Sequence, residues 1–102
     1  MNKTIELAFE AVESALNVER GTITTSSRSR LNYPRMIFVI MLREMGASYR
    51  AIGEVLCCSY VCAFKYYHRS LHVLSESPNM RAKYEEVSKQ YEALKSLRIA
   101  TH

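Results

Sequence analysis

Apolar residues recur along most of this chain at steps of three and four, the spacing that gathers side chains on one face of an α-helix. From Thr4 to Asn17 the sequence TIELAFEAVESALN puts Ile5, Ala8, Phe9, Val12 and Leu16 on one face and Glu6, Glu10 and Glu13 on the other. This is an amphipathic helix with an acidic outer side, which a phosphate backbone repels, so it is expected to support the fold. Glu19 to Asn32 breaks the period with Gly21 and a Thr/Ser cluster, then supplies Arg28 and Arg30. It reads as a loop with a basic end. Pro34 suits the first turn of a helix, where its missing N–H would have no partner anyway. The helix PRMIFVIMLREM is apolar around nearly its whole circumference from Met36 to Leu42, which predicts burial on most sides at the centre of the domain. Gly46 stands where a left-handed residue closes it.

Ser48 is placed to cap the next helix, YRAIGEVL, in which Ile52, Val55 and Leu56 point inward. Gly53 weakens that helix by about 1 kcal/mol relative to Ala, a cost accepted where another helix crosses close to the backbone. After a break at Cys57-Cys58, Ser59 caps a longer helix with Val61, Phe64, His68, Leu71 and Leu74 as its buried stripe. Tyr60, Cys62, Ala63, Lys65, Tyr66, Arg69 and Ser70 fall on its open faces, and Tyr67 reads as a packing residue. A short helix, a tight break and a longer helix over residues 48–73 outline a helix-turn-helix, whose second helix enters the DNA major groove. Ser77 caps a last helix over residues 78–97, with Met80, Tyr84, Val87, Tyr91 and Leu94 as a heptad-like seam and Arg81 facing Glu85. A seam this short is expected to dock on the chain's own core, with pairing of two chains as the alternative.

The predicted fold is therefore all-α: one domain, residues 1–102, with about five helices around a central helix-turn-helix and a long C-terminal helix. Composition agrees, because 3 glycines and 2 prolines in 102 residues leave few turns for a sheet. The net charge of +4 permits a polyanionic partner and leaves the decision to its distribution. Three crowded cysteines, Cys57, Cys58 and Cys62, with no signal segment ahead of them, suggest a reducing, cytoplasmic setting. Met36 to Leu42 is far shorter than the roughly 20 residues that span a bilayer, so no membrane partner is expected.

Catalytic and metal chemistry find little here. Cys58 and Cys62 are one turn apart and His68 follows, but a zinc site calls for a second, well-separated ligand pair, and no metal or other cofactor is expected. Cys62 with His68 or His72 lies on different turns, and no acidic pair or Ser-His-Asp set completes a nucleophilic site. No GxxxxGK[ST] loop is present to hold a nucleotide. The chain reads as a non-enzyme. Its candidate DNA contacts are Arg28, Arg30, Arg35, Arg50, Lys65 and Arg69, with Tyr60 and Tyr66 able to touch thymine methyls or phosphates.

Residues 30–74 also resemble the C-terminal DNA-binding domain of the bacterial replication initiator DnaA, a Trp-repressor-like helix-turn-helix. The likeness is carried by Pro34-Arg35 opening the apolar helix, Leu42-Arg43-Glu44-Met45 closing it, and Ser48-Tyr49-Arg50-Ala51-Ile52-Gly53 starting the next. More weakly, residues 5–23 fall where the family has its first helix, and Lys83-Tyr84-Glu85-Glu86 is similar to an extra C-terminal helix of phage and mobile-element relatives. The resemblance implies that Arg35 reaches the minor groove and that Ser48, Tyr49 and Arg50 lie at a phosphate. It puts Ser59, Tyr60, Cys62 and Ala63, with Lys65, Tyr66 and Arg69, on the recognition helix. The family's Gly-Gly-Arg-Asp-His-Thr-Thr-Val signature reads Cys57-Cys58-Ser59-Tyr60-Val61-Cys62-Ala63-Phe64 here, so only its closing apolar residue is similar. The expected function is a bacterial or phage DNA-binding protein of replication or transcription, with a specificity other than the initiator's box. The alternative is an interaction module that keeps the fold, with Tyr60, Val61, Cys62 and Ala63 as an uncharged patch for a protein partner or with the C-terminal seam pairing two chains.

Overall fold

In the computed structural model, residues 2–25 and 32–100 are described, and they form six helices. These are α1 (Asn2–Leu16), α2 (Arg20–Thr24), α3 (Tyr33–Glu44), α4 (Tyr49–Leu56), α5 (Tyr60–Glu76) and α6 (Pro78–Ala100). The fold is all-α, with no strand among the described residues. Every side chain from Met36 to Leu42 is buried, and all five other helices pack around α3. Asn32 starts it. Its Oδ1 accepts the Arg35 N–H at 3.1 Å while its Nδ2 donates to the Thr22 carbonyl at 2.6 Å, so one side chain caps α3 and ties it to α2. Pro34 sits in the first turn, and Gly46, with φ +93°, follows the end of the helix as predicted.

α6 lies along α1. Met80 and Val87 are fully buried and Tyr84, Tyr91 and Leu94 are packed against the same core, so the heptad-like seam is used within the chain. Tyr84 donates its hydroxyl to the Glu44 carboxylate at the end of α3. Because α3 and α6 both flank α1, Leu7 and Ala11 are buried beside the expected Ala8, Phe9 and Val12, and Phe9 stacks on Phe38 at 4.2 Å between centroids. Arg81, expected to face Glu85, instead donates to the Leu74 and Ser75 carbonyls at 3.3 and 2.7 Å. Unpaired carbonyls near a helix C-terminus attract a cation, and here they bind the first turn of α6 to the end of α5.

The segment read as a loop after α1 contains a one-turn helix, α2. Its sequence RGTIT has little helical preference, and a helix this short is not stable alone. Tertiary contacts make it. Ile23 is wholly buried, and Arg20 bridges to Glu6 at 3.0 Å and Glu13 at 3.2 Å while lying 4.3 Å over the Phe9 ring. Part of the acidic side of α1 is thereby engaged in holding α2. Arg28 and Arg30, expected as a basic arm, lie outside the described residues.

Candidate nucleic-acid interface

α4 and α5 form a tight two-helix corner. Ser48 Oγ accepts the Ala51 N–H at 3.1 Å and Ser59 Oγ accepts the Cys62 N–H at 3.2 Å, so both helices start with the side-chain caps the sequence predicted. Between them Cys57 takes a left-handed conformation, φ 57°, and the Cys58 N–H donates back to the Gly53 carbonyl at 2.8 Å. This folds the turn onto α4. A Cβ on Gly53 would lie 2.6 Å from the Cys58 carbonyl oxygen and 3.1 Å from that of Ser59. The close approach that requires glycine is therefore made by the turn's own backbone and not by a crossing helix.

α5 is rotated from the expected orientation. Ala63 and Ser70, assigned to the open face, are fully buried, whereas Val61, Phe64 and His68, assigned to the buried stripe, are exposed. Small residues seven apart let the α5 backbone approach its neighbours closely, which large side chains at those positions would prevent. The Ser70 hydroxyl donates to the Tyr66 carbonyl at 2.7 Å, so its burial leaves no polar group unpaired. Leu71 and Leu74 pack on the core as expected. Ala63 has no surface with which to touch a base and is withdrawn from the contact set. Tyr66 is half-buried with its ring 5.3 Å from the Arg35 guanidinium; burial pushes its phenol pKa up, and nearby Arg35 and Arg69 oppose that shift.

Phe64 is not loose on this outer face. Its ring meets Tyr49 edge-on at 5.2 Å and His68 at 4.4 Å, while Tyr67 touches both Tyr49 and His68 at 6.0 and 5.3 Å. Arg43 lies 4.3 Å over the Tyr49 ring and donates to the Ala47 carbonyl. The ring of Tyr49, expected at a phosphate, is thus committed to an aromatic shelf joining α4 to α5. Aromatic contacts of this kind prefer such edge geometry and restrict the rings that make them.

The cations divide into two groups. Arg35 is 8% exposed, and its Nη1 donates to the Ile23 and Thr24 carbonyls at 3.1 and 2.7 Å. Its charge satisfies the end of α2, so the expected reach into a minor groove is corrected: Arg35 is a structural residue. Arg50, Lys65 and Arg69 are exposed, as are Ser48, Ser59, Tyr60 and Cys62. Lys65 and Arg69 share a cleft of about 230 Å³ with Cys62 and Tyr66. A second cleft, about 270 Å³, lies between the turn and α5 and is lined by Arg35, Leu56, the three cysteines and Tyr66. There burial pushes the Cys58 thiol pKa up, helped by neighbouring Cys62 and opposed by Arg35. Among the described residues no three His, Cys, Asp or Glu side chains are placed to hold a metal ion.

From Val55 to Ser75 the chain contains no Asp or Glu, so the whole exposed length of α5 up to Glu76 is neutral or positive. Its outward residues are Tyr60, Val61, Cys62, Phe64, Lys65, His68, Arg69 and His72. Phe64 and His68 were missed as surface residues, and Val61 was placed outside only in the protein-partner alternative. The sequence signal that identifies them is the Ala63/Ser70 pair of small residues, which marks the close-packed face. No described helix is long and apolar enough to cross a membrane. No family model, curated protein or solved structure matches the chain.

Proposed function

We propose that this chain is a small, non-enzymatic, cytoplasmic protein that binds double-stranded DNA, with α5 in the major groove and α4 across the backbone. The observation that carries the reading is the exposed side of α5. It belongs to a helix-turn-helix corner, bears Lys65 and Arg69, and has no carboxylate before Glu76. A polyanion meets no repulsion along that face. Arg50 and the N-terminus of α4 approach one phosphate and Arg69 approaches another, which leaves Lys65 for the base edges. The likeness of Pro34 to Gly53 to the DnaA C-terminal domain supports the same docking mode, in a replication or transcription role. The different residues from Cys57 to Phe64 support a different target.

A salt titration on duplex DNA tests this. Two phosphate contacts would make log affinity fall with log salt at a slope of about −2. Binding at low salt no stronger than that of a neutral protein of this size ends the proposal. A second reading, docking of a protein partner, is favoured by the exposure of Tyr60, Val61 and Phe64, at 60%, 43% and 46%. It predicts association that is insensitive to salt and needs no DNA.

A further inference from the structure

We infer that α5 selects thymine by its C5 methyl group, with Tyr60, Val61 and Phe64 as an apolar reading edge; this rests on the DNA-binding reading above. In a helix-turn-helix the N-terminal residues of the second helix meet the base edges. Here those positions hold three of the four large hydrophobic side chains that the described chain leaves exposed, the fourth being Leu97 near the far end of α6. In unmodified DNA the thymine methyl is the apolar group a major groove offers.

The polar chemistry of the helix narrows the choice to guanine and thymine, whose major-groove acceptors suit Lys and Arg, and the apolar edge decides between them. Paired readout of adenine uses Asn or Gln, and the cytosine N4 donor is read by a carboxylate. None of these four residue types occurs from Val55 to Ser75. Lys65 and the Tyr60 hydroxyl donate hydrogen bonds, and thymine O4 is an acceptor beside the methyl group, so thymine satisfies both the apolar and the donating side chains. Cytosine methylated at C5 would supply the methyl but turn a donor toward Lys65. Phe64 is held against Tyr49 and His68 before any ligand arrives, which lowers the ordering cost of contact. The cations beside these residues, Lys65 and Arg69, and the absence of acid favour DNA over a protein surface as the occupant.

The test compares four short duplexes at one low salt concentration: alternating dA·dT, the same with deoxyuridine for thymidine, alternating dG·dC, and the same with 5-methylcytosine. Deoxyuridine removes the methyl and keeps every hydrogen-bonding atom. Loss of one buried methyl should weaken binding about fourfold, and the difference should vanish in Val61→Ala/Phe64→Ala. Equal affinity for the thymidine and deoxyuridine duplexes overturns the inference while leaving DNA binding in place. A difference that persists in the double variant also overturns it, because duplex shape would then be the cause. An equal gain on methylated dG·dC overturns the choice of thymine. No binding to any of the four overturns both readings, and sedimentation then shows whether the apolar edge pairs two copies. The wild-type comparison stands even if the double variant fails to fold.

Discussion

α5 and α6 are consecutive long helices separated by a single residue, Ser77, and they present opposite kinds of surface. α6 turns Met80 and Val87 wholly into the core and leaves Arg81, Lys83, Glu85, Glu86 and Lys89 in water. α5 turns Ala63 and Ser70 inward and leaves Tyr60, Val61, Phe64 and His68 outside. For α6 the removal of apolar area from water decides the rotation about the helix axis. For α5 the deciding constraint is proximity. The turn is folded onto Gly53, α5 begins immediately beyond it, and Ala63 near the start of α5 is wholly buried. A helix docked in this way can carry large side chains outward, where they serve recognition instead of cohesion.

The contrast is sharpened most by paired truncations. Met80→Ala should destabilise the protein by about 2–5 kcal/mol through the cavity it leaves. Phe64→Ala, removing a comparable volume from a half-exposed site, should cost less than about 1 kcal/mol. Chemical denaturation midpoints measure both, and similar losses would show that the two helices do not differ as described. Gly53→Ala comes next. It places a methyl against the Cys58 carbonyl, which cannot move without shifting the turn, and about 1–3 kcal/mol should be lost despite the better helix propensity of Ala. If that variant is as stable as the parent, proximity is not what orients α5. The smallest change expected is a gain. Cys57 is a non-glycine residue in the left-handed region, and Cys57→Gly should relieve steric cost and raise stability by about 1 kcal/mol, read as a higher unfolding temperature.

Much of the scaffold was legible in the chain. The α3 core follows from an unbroken apolar run, and the caps at Ser48, Ser59 and Ser77 and the closing Gly46 follow from local geometry that a few neighbouring residues control. Two features of the candidate site were not. Arg35 carries a formal charge at the start of a helix, which suggests a surface role, yet two carbonyls from α2 make burial favourable, and α2 itself forms through contacts distant in sequence. Tyr49 likewise reads as a helix-start residue near a phosphate, and its ring is taken up by Phe64, Tyr67 and Arg43.

By itself, the sequence determined the all-α class, the order of the long helices, the corner between α4 and α5, and the absence of acid along α5. These depend on periodicity, capping and composition, which are properties of neighbours along the chain. Tertiary structure alone decided that Ile23 forms a helix, that Arg35 turns inward, and that Ala63 rather than Phe64 faces the core. Those outcomes depend on how closely two backbones approach. Periodicity along one helix shows which residues share a face, but the partner's distance decides whether the large face or the small face is buried.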